Sequence, residues 1–562
     1  MSTHKILKIT PANEALAKNL AKELGISAVC AQLLLNRGLR HPREAHNFLK
    51  PSLAALLDPF SFSDMKKAIA LINQAIKEKK KVLIYGDYDV DGVTALTILK
   101  SALIKKGLDV SHYIPHRIKE GYGLNKNILQ AAKEKGIGLL ITVDCGTSSH
   151  AEIKALKENG IQVIVTDHHQ ASGETLPQAD AILNPKLESC NYQYKDLAGV
   201  GVAFKLAQAL AGKNLADELD LVSLGTIADV VPLTGENRVI AKEGLKTLTQ
   251  AKRLGIKALI ETSRLGNREI NSTFVSYILS PRLNASGRVA TAETALQLLM
   301  SENKEEALGL AKNIETLNRE RQKIEAAIME EARSIIDSEI DFKEHKIMVL
   351  AKEGWHQGVL GIVASKLADR FYRPTIVISL NDGLCRGSGR SIKSFHLFQA
   401  LCECKEFLHS FGGHSHAVGL VVNKDNVAEF KKVINRFARE KMTFEDLLPA
   451  IEVDMEVGLS VLNEKIAQEI ALLQPFGAGN PQPLFFTRNL KLKGEPQVLS
   501  RDTLKFWVTD GKNTSQAIAF GMASLKESLV SSESLDLVYS PKIDTWRDEA
   551  SIILETEEIF LK

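Results

Sequence analysis

The segment Ile84-Tyr85-Gly86-Asp87-Tyr88-Asp89-Val90-Asp91-Gly92 decides the fold class, because it places a row of carboxylates directly behind the apolar run Val82–Tyr85. A run of this length is typical of a buried strand. Alternate side chains of a strand share one face, so Asp87 and Asp89 are expected to converge, with Asp91 as a third candidate. The segment therefore predicts a polar site at the carboxyl end of a buried strand.

The same alternation of strand, loop and helix continues along the chain. Helical patterns near Val93–Lys106, Lys126–Lys135 and Ala151–Glu158 separate short apolar runs. Strands that alternate with helices predict the α/β class, with an open parallel sheet covered on both faces. The further strand candidates are Val110–Ile114, Leu139–Val143, Val163–Thr166 and Ala181–Leu183.

More acids and histidines follow these strands. Asp144 comes after the run that ends at Val143, and Asp167-His168-His169 comes after the run that ends at Thr166. A further acid, Asp229, lies in the apolar segment GTIADVVP. Because the carboxyl ends of parallel strands meet at the edge where open α/β folds bind ligands, we expect these side chains to gather in one site.

Such a gathering of like charges predicts bound cations. Two carboxylates about 4 Å apart repel each other by about 4 kcal/mol at an effective dielectric constant of about 20. A mixture of aspartate and histidine suits Mn²⁺ and is compatible with Mg²⁺. Any one of these aspartates alone is more often a turn or N-cap residue, but the whole set at strand ends favours a metal site.

Composition limits the class of protein. A chain of 562 residues is too long to form a single hydrophobic core. Its content of 44% hydrophobic and 25% charged residues is typical of a globular protein. No apolar run reaches the roughly 18 residues of a membrane span, and the N-terminal stretch lacks a signal-peptide core. Six scattered cysteines without a CxxC pattern indicate reduced thiols, so we expect a cytoplasmic protein with no membrane partner. The net charge of +3 neither indicates nor excludes a nucleic-acid partner.

The rest of the chain divides by pattern. Residues 1–60 are expected to form a helical lead-in, and residues 61–300 the first α/β unit. The range Lys304–Ser338 predicts one long helix within a connecting segment at 301–342, a strut between units rather than part of either core. A smaller α/β unit is expected at 343–445. Short alternating runs then predict a small β-barrel at 446–562.

A series of motifs carries a resemblance to a known family. In chain order these motifs are DYDVDG, VDCG, DHH, GTIADVVPL, SPRLNASGR, GSGRS, FGGHSHAVG and LQPFGAGNPQP. The chain resembles the DHH phosphoesterase superfamily, and within it the exonucleases that combine DHH, DHHA1 and OB-fold domains. The resemblance implies that 61–300 is the DHH domain, 343–445 the DHHA1 domain and 446–562 a nucleic-acid-binding OB-fold.

The resemblance also implies a two-metal centre, with Asp144 as the bridging ligand. His169 would face the scissile phosphate, and Asp91 and Asp167 would support the ligands or join them. Many relatives place a metal-binding histidine where this chain has Leu83, so one metal is expected to be held differently. The implied ligands, which with His169 are also the implied catalytic residues, are Asp87, Asp89, Asp144, His168 and Asp229.

Positive and small residues in other motifs imply contacts with DNA phosphates. By resemblance, Ser388 and Arg390, with Arg282 or Arg288, would hold the 5′ end. The remaining candidates for this surface are Arg117, Asn284, Gly389, Gly412, Gly413 and His414. Barrel aromatics could stack on bases, although most are expected to point inward. They are Phe485, Phe486, Phe506, Trp507, Phe520 and Trp546.

The function implied by the resemblance is a 5′-to-3′ exonuclease that is specific for single-stranded DNA and releases 5′-mononucleotides in recombination and repair. It would use two Mn²⁺ or Mg²⁺ ions. One alternative is a phosphodiesterase for short oligoribonucleotides or cyclic dinucleotides, and another is an inactive DNA-binding replication scaffold. The expected partner is single-stranded DNA, with single-strand-binding protein and a helicase as candidates. The chain is expected to act as a monomer.

Overall fold

The computed structural model describes residues 5–171, 175–213, 215–500, 502–544 and 551–562. The N-terminal region begins with strand β1 (Ile6–Ile9), followed by helices α1 (Glu14–Leu24), α2 (Ala28–Asn36) and α3 (Pro42–Leu49). The expectation of a purely helical lead-in is wrong, because β1 pairs in parallel with Ala450–Val453. Apolar side chains of the three helices also join the core of the C-terminal barrel. Both contacts are distant in sequence, so local pattern could not show them.

The first sheet carries the site. It contains β2 (Lys81–Gly86), β3 (Val110–Tyr113), β4 (Ile137–Val143), β5 (Gln162–Thr166) and β6 (Ala181–Leu183). The strands are parallel in the order β3-β2-β4-β5-β6. Gly86 lies opposite Val143, and Val143 lies opposite Thr166, so three strands end at the same level.

Helices cover both faces of this sheet, as predicted. Val82 and Ile84 point into the larger core, while Leu83 and Tyr85 point into a smaller core on the opposite face. The helices of this unit are α4 (Met65–Lys77), α5 (Val90–Lys105), α6 (Ile128–Lys135), α7 (His150–Glu158), α8 (Gly199–Ala211), α9 (Leu219–Ala228), α10 (Gly235–Gln250), α11 (Leu254–Thr262), α12 (Ser272–Phe274), α13 (Ser280–Val289) and α14 (Glu293–Met300).

The long helix α15 runs over Lys304–Glu339, one residue beyond the predicted end. Its first half buries Ala311 and Ile314 in the core of the first unit. Its second half buries Ile328 and Ile336 beside the next sheet. The expectation of a strut outside both cores is therefore wrong, because α15 contributes side chains to each.

The second sheet is mixed, in the order β10-β11-β9-β8-β7. Strands β9, β10 and β11 had not been predicted, because glycines interrupt their alternating patterns. The elements are β7 (Met348–Glu353), α16 (Leu360–Phe371), β8 (Thr375–Leu380), β9 (Leu384–Arg390), α17 (Leu397–Glu403), β10 (Leu408–Gly413), β11 (Ala417–Asn423) and α18 (Val427–Lys441). The GSGRS motif thus lies largely on β9, which pairs with β11, and β11 separates it from the glycines of β10.

The C-terminal region forms the predicted β-barrel. Five strands close a ring in the order β14-β18-β19-β17-β16, completed by pairing of β14 with β16. The elements are β12 (Ala450–Val453), β13 (Met455–Glu456), α19 (Glu464–Leu472), β14 (Phe485–Leu492), β15 (Gln497–Leu499), β16 (Thr503–Thr509), β17 (Thr514–Phe520), α20 (Lys526–Ser531), β18 (Leu535–Asp544) and β19 (Ser551–Leu561). Among the helices described, none is long and apolar enough to cross a bilayer.

Candidate metal centre and phosphate pocket

The loop after β2 brings its aspartates together in a way that differs from the strand argument. The strand ends at Gly86, so Asp87 and Asp89 lie in the turn and Asp91 lies in the first turn of α5. Asp89 caps this helix, with its Oδ1 accepting a hydrogen bond from the Gly92 amide at 3.1 Å. A Cβ atom at Gly92 would lie 2.5 Å from the carbonyl oxygen of Asp87, so the turn requires glycine.

The other acids reach the same place from separate elements. Asp144 follows β4 with a left-handed φ of 60°, and Asp229 ends α9. Asp144 packs against the start of α8, where a Cβ atom at Gly199 would lie 2.5 Å from its Oδ1. His168 follows β5, and its Nε2 lies 3.2 Å from Asp144 Oδ1 and 3.5 Å from Asp229 Oδ2.

We call Asp87, Asp89, Asp144, His168 and Asp229 the acidic cluster. Its members form groups whose ligand atoms lie within 4.8 Å of one another. One group is Asp87, Asp89 and Asp144, a second is Asp144, His168 and His169, and a third is Asp91, His168 and Asp229. Asp144 and His168 each belong to two of these groups. All the ligand candidates from the sequence are therefore close together.

Burial and mutual repulsion make the acidic cluster unfavourable without a counter-charge. Burial and the Asp89 charge raise the pKa of Asp87 to about 8, and burial also raises the pKa of Asp144 and of Asp229. In the described part of the chain, no lysine or arginine forms an ion pair with these carboxylates. The Oδ1 atoms of Asp87 and Asp144 and both ring nitrogens of His168 are buried and make no hydrogen bond there. Oxygen and imidazole donors arranged in this way fit divalent cations.

Asp167 supports the two histidines. Its carboxylate accepts hydrogen bonds from the amides of His168, His169 and Thr147 and, at 2.8 Å, from Nδ1 of His169. The His169 side chain lowers the pKa of Asp167 despite burial, and the same bond raises the pKa of His169. Asp91 is also engaged, because it accepts hydrogen bonds from the Gly199 and Val200 amides at 2.7 Å each.

Tyr122 is a site residue that the sequence analysis missed. Its hydroxyl lies 2.9 Å from Nδ1 of His169 and donates a hydrogen bond to the Asp144 carbonyl oxygen at 3.3 Å. Gly121 and Gly123 on either side both have positive φ, which presents the ring at the surface of the site. That Gly-Tyr-Gly pattern was the signal available in the sequence.

Leu83, where relatives of the superfamily place a histidine, supplies no ligand. It is buried in β2 and packs in the smaller core. The three groups above form without it.

A cavity of about 530 Å³ adjoins the acidic cluster, between the first and second sheets. Tyr88, Arg117, Tyr122, Ser388 and Gly412 are among the residues that line it. Tyr88 lies in the aspartate loop and Tyr122 contacts His169, so the cavity opens directly beside the acidic cluster.

Three arginines concentrate positive charge around this cavity, and we call Arg117, Arg288 and Arg390 the arginine pocket. Arg117 lines the cavity, whereas Arg288 and Arg390 lie behind it and donate hydrogen bonds to two of its lining residues, Gly358 and Ser388. Burial and the charges of Arg117, Arg321 and Arg390 lower the pKa of Arg288 to about 9. Burial and Arg117 also lower the pKa of Arg390. Arg390 donates a hydrogen bond to Ser388 Oγ at 3.3 Å, and Arg117 lies 4.7 Å from the ring centre of Tyr88.

The other phosphate-binding candidates differ in position. Arg282 forms an ion pair with Glu315 of α15 at 2.8 Å, so the structure gives its charge a partner outside the arginine pocket. Asn284 accepts a hydrogen bond from the Val90 amide at 3.2 Å and so supports the aspartate loop. Gly389 is buried, and a Cβ atom there would lie 2.7 Å from a Val418 methyl carbon.

The glycine-histidine segment of β10 reaches the site from the second sheet. Gly412 lines the cavity, and Gly413 has a φ of 131°, which favours glycine. The His414 amide donates to the Ala417 carbonyl at 2.9 Å. Burial and the nearby charge of His169 lower the pKa of His414, so the two histidines lie close enough to interact electrostatically.

The barrel aromatics separate into two groups. Phe485, Phe486 and Phe506 are buried, as expected for most of them. Trp507 is 40% exposed and Phe520 is 60% exposed. Trp546 lies outside the described residues.

Family models match most of the chain in three segments. They are the N-terminal domain of the DHH family at residues 81–226, the DHHA1 domain at 344–440 and the RecJ OB domain at 453–558.

Curated proteins are similar over nearly the whole chain. The single-stranded-DNA-specific exonuclease RecJ of Bacillus subtilis is 41% identical over 534 residues, which cover 94% of this chain and 68% of the relative. The protein of the same name from Haemophilus influenzae is 35% identical, covering 91% of this chain and 93% of the relative.

Solved structures agree with this similarity. The crystal structure of Thermus thermophilus RecJ in complex with Mn²⁺ superimposes with a TM-score of 0.86 at 28% identity, covering 99% of this chain and 80% of that one. The structure of the Mg²⁺ complex gives a TM-score of 0.79 at 26% identity, covering 99% of this chain and 78% of that one.

Proposed function

The chain belongs to the RecJ family of single-stranded-DNA-specific exonucleases, and we propose that it removes 5′-mononucleotides from single-stranded DNA in the 5′-to-3′ direction. The observation that carries this proposal is the proximity of the acidic cluster to the arginine pocket. The charge of Arg117 lowers the pKa of Asp87, and the charge of Asp89 raises the pKa of Arg288, although burial outweighs both effects. The acidic cluster needs cations and the arginine pocket needs phosphate, and a metal-dependent nuclease supplies both.

We assign the metal-binding role to the acidic cluster, with Mn²⁺ or Mg²⁺ as the ions. Two bound ions would make a water molecule acidic enough to act near neutral pH and would neutralise charge on the reacting phosphate. Both carboxylate oxygens of Asp91 are committed to backbone amides of α8, so we assign Asp91 a supporting role. Asp167 has the same role towards the histidines.

We assign His169 to the scissile phosphate. Its Nδ1 is held by Asp167, so Nε2 is the ring nitrogen left for a phosphate oxygen. The raised pKa of His169 favours the protonated ring, which can donate from Nε2. His169 would then stabilise negative charge on the phosphate.

The arginine pocket gives a physical reason for starting at the 5′ end. A terminal phosphate carries close to two negative charges at neutral pH, whereas an internal phosphodiester carries one. Three clustered arginines with Ser388 therefore favour the terminal group. We propose that one nucleotide spans the distance from the arginine pocket to the acidic cluster, so that mononucleotides are released. We assign this role to Arg288 rather than Arg282, because the Arg282 guanidinium is held by Glu315, which also pairs with Arg319.

The barrel favours long strands over the alternative short substrates. Lys505 and Trp507 lie on the same outward face of β16. Phe520 of β17 is the pairing partner of Thr503 of β16. Exposed aromatics beside a cation form a surface on which bases can stack. An inactive scaffold would gain nothing from buried carboxylates that repel one another.

We retain the proposed division at 1–60, 61–300, 301–342, 343–445 and 446–562 as functional regions. We further propose that the enzyme acts as a cytoplasmic monomer in recombination and repair. Single-strand-binding protein and a helicase are proposed as the partners that present single strands to it. The six free cysteines, of which five are buried, suit a reducing compartment.

One product analysis tests the proposal. Single strands labelled at the 5′ or the 3′ end are incubated with Mn²⁺, Mg²⁺ or a chelator, beside a blunt duplex of the same sequence. We expect labelled mononucleotide at once from the 5′-labelled strand, a descending ladder from the 3′-labelled strand, and little cleavage of the duplex. Cleavage in the chelator, or mononucleotide first from the 3′ label, would contradict the mechanism.

A further inference from the structure

A second cavity continues beyond the phosphate pocket, and the mechanism above does not use it. Its volume is about 520 Å³, and we call it the outer chamber. It shares Ile118, Gln357, Arg386 and Ser410 with the first cavity. Arg386 separates the two, because its Nη1 donates a hydrogen bond across the gap to the Ile118 carbonyl oxygen at 2.8 Å. The remaining N–H groups of this guanidinium are further donors at the junction.

The outer chamber is positively charged. Lys119 and Arg386 supply the positive charge, His409 also lines the chamber, and no carboxylate belongs to the lining among the residues that the structure describes. Two acids adjoin the lining in sequence, and both are engaged elsewhere. Glu120 accepts hydrogen bonds from the Tyr113 hydroxyl at 2.5 Å and the His116 amide at 2.6 Å. Asp382 pairs with Lys424 at 3.3 Å.

A strand irregularity places His409 at this chamber. The pairing of β10 with β11 shifts register between Leu408 and Ser410, so His409 is the extra residue of a bulge. Bulges redirect side chains next to functional sites. The lining is therefore formed both by the loop after β3, which carries Lys119, and by an irregular strand of the second sheet, which adds the His409 ring as a hydrogen-bonding group.

We propose that the outer chamber accepts the β- and γ-phosphates of single-stranded DNA that carries a 5′-triphosphate. This inference rests on the proposed function, in which the arginine pocket holds the phosphate attached to the 5′ carbon. Groups linked to that phosphate on the side away from the strand extend past Arg386 into the chamber. Lysine and arginine are the side chains that bind polyphosphate oxygens.

The reaction on such an end is the ordinary hydrolysis. A water oxygen forms a bond to the phosphorus of the first internucleotide linkage, and the bond from that phosphorus to O3′ breaks. The O3′ leaves with a proton as the hydroxyl of a deoxynucleoside 5′-triphosphate, and the shortened strand retains a 5′-monophosphate. Only the first cycle uses the chamber, so every later cycle on the same strand is an internal control.

The test compares one sequence with three different 5′ ends: hydroxyl, monophosphate and triphosphate. The wild-type enzyme is expected to release deoxynucleoside triphosphate first, with a KM no higher than on the monophosphate end. Lys119→Glu is expected to raise the KM of that first step on the triphosphate end by about tenfold, because a repulsive charge replaces an attractive one. Its KM on the monophosphate end stays within about twofold, because Lys119 does not line the first cavity.

Lys66→Glu, at an exposed position on α4, changes the net charge equally and serves as the matched control. Binding of the three strands in chelator repeats the comparison without catalysis. Refusal of the triphosphate end by the wild type, or an equal effect of Lys119→Glu on both ends, would overturn the chamber assignment. If the enzyme did not cut even the monophosphate strand, the proposed nuclease function would be contradicted. The binding comparison in chelator would then still show whether the outer chamber binds the triphosphate end.

Discussion

The acidic cluster and the arginine pocket lie side by side, and they hold buried charges of opposite sign. In the acidic cluster, burial and neighbouring carboxylates raise the pKa of Asp87 and Asp144. In the arginine pocket, burial and neighbouring guanidinium groups lower the pKa of Arg288. Each region lacks compensating charge. Metal ions would compensate the acidic cluster, and the phosphate of the substrate would compensate the arginine pocket.

Buried charges elsewhere in the molecule show what a structural role looks like. Lys205 Nζ lies 2.7 Å from Glu236 Oε1, and Arg253 Nε lies 3.0 Å from Asp220 Oδ2. These pairs compensate each other inside the protein, so removing Glu236 would leave Lys205 as an unpaired buried charge, whereas Arg253 has a second partner in Glu218 at 2.8 Å. The difference teaches that burial of charge alone does not mark a site, whereas a cluster of several buried charges of one sign does. A single buried cation such as Arg238 can be structural, because backbone carbonyl oxygens accept its hydrogen bonds.

The largest expected effect comes from removing one ligand of the acidic cluster. Asp144→Asn should reduce kcat by on the order of a thousandfold, because several kcal/mol of metal stabilisation are lost. In chelator the same variant should be at least as stable as the wild type, because one repelling carboxylate is gone. Steady-state kinetics and thermal unfolding measure the two results.

Asp220→Asn is the matched control for that variant. It also neutralises a buried aspartate, but this one is paired with Arg253. Unfolding should become easier by only about 1 kcal/mol, because Arg253 keeps its ion pair with Glu218 at 2.8 Å, and activity per folded molecule should be retained. If Asp144→Asn behaved like Asp220→Asn, the acidic cluster would be structural.

The second prediction concerns pH in the absence of metal. Asp87 and Asp91 have pKa values of about 8 and about 7 in the folded chain, well above those of unfolded aspartate. The folded state therefore binds more protons than the unfolded state up to this range, so stability in chelator should fall as pH rises from about 5 to 8.

Metal reverses that trend, because ligands bind in the deprotonated form. At 100 times the dissociation constant, Mn²⁺ adds about 2.7 kcal/mol, and the gain in melting temperature should be larger at pH 8 than at pH 6. Calorimetry at both pH values, with and without Mn²⁺, measures it. A metal-free protein that gains stability towards pH 8 would contradict the electrostatic picture of the acidic cluster.

The third prediction breaks the other side of the comparison. Arg390→Ala should raise the KM for 5′-phosphorylated strands by roughly 10- to 100-fold, because a charge-assisted phosphate contact is lost. Arg282→Ala should leave that KM within about twofold, because Arg282 is paired with Glu315. Competition between 5′-phosphate and 5′-hydroxyl strands gives the readout. If the KM rose equally in both variants, there would be no reason to prefer Arg288 to Arg282 as the partner of Arg390.

The sequence was sufficient for the members of the acidic cluster that follow strands, for a physical reason, whereas the place of Asp229 at the end of α9 depended on the family resemblance. Parallel strands end at one level, so residues that directly follow β2, β4 and β5 must meet, whatever the loops do afterwards. Even so, the detailed argument for Asp89 was wrong, because it caps α5 and does not extend from the strand. The edge of the sheet at which these residues meet could be predicted, but the backbone conformation of the loop after β2 could not.

Pairings between distant segments could not be predicted. Nothing near Arg282 shows that Glu315 of α15 pairs with it, and nothing near Ile6 shows that β1 pairs with the strand at Ala450–Val453. Glycines interrupt the alternation of polar and apolar side chains in β9 and β10, so these two strands could not be recognised in the sequence. Tyr122 was missed because its partners, His169 and Asp144, come from other strands.

The smallest predicted effect concerns Tyr122, which is 52% exposed and lies where the acidic cluster meets the first cavity. Tyr122→Phe keeps the ring but removes the hydroxyl that lies beside His169 and donates to the Asp144 carbonyl. One lost hydrogen bond of about 1 kcal/mol corresponds to a fivefold fall in kcat with little change in KM. Tyr277→Phe is the control, because Tyr277 is 79% exposed and distant from His169 in sequence. If kcat is unchanged in Tyr122→Phe, the hydroxyl does not position His169, and only the ring borders the path of the nucleotide.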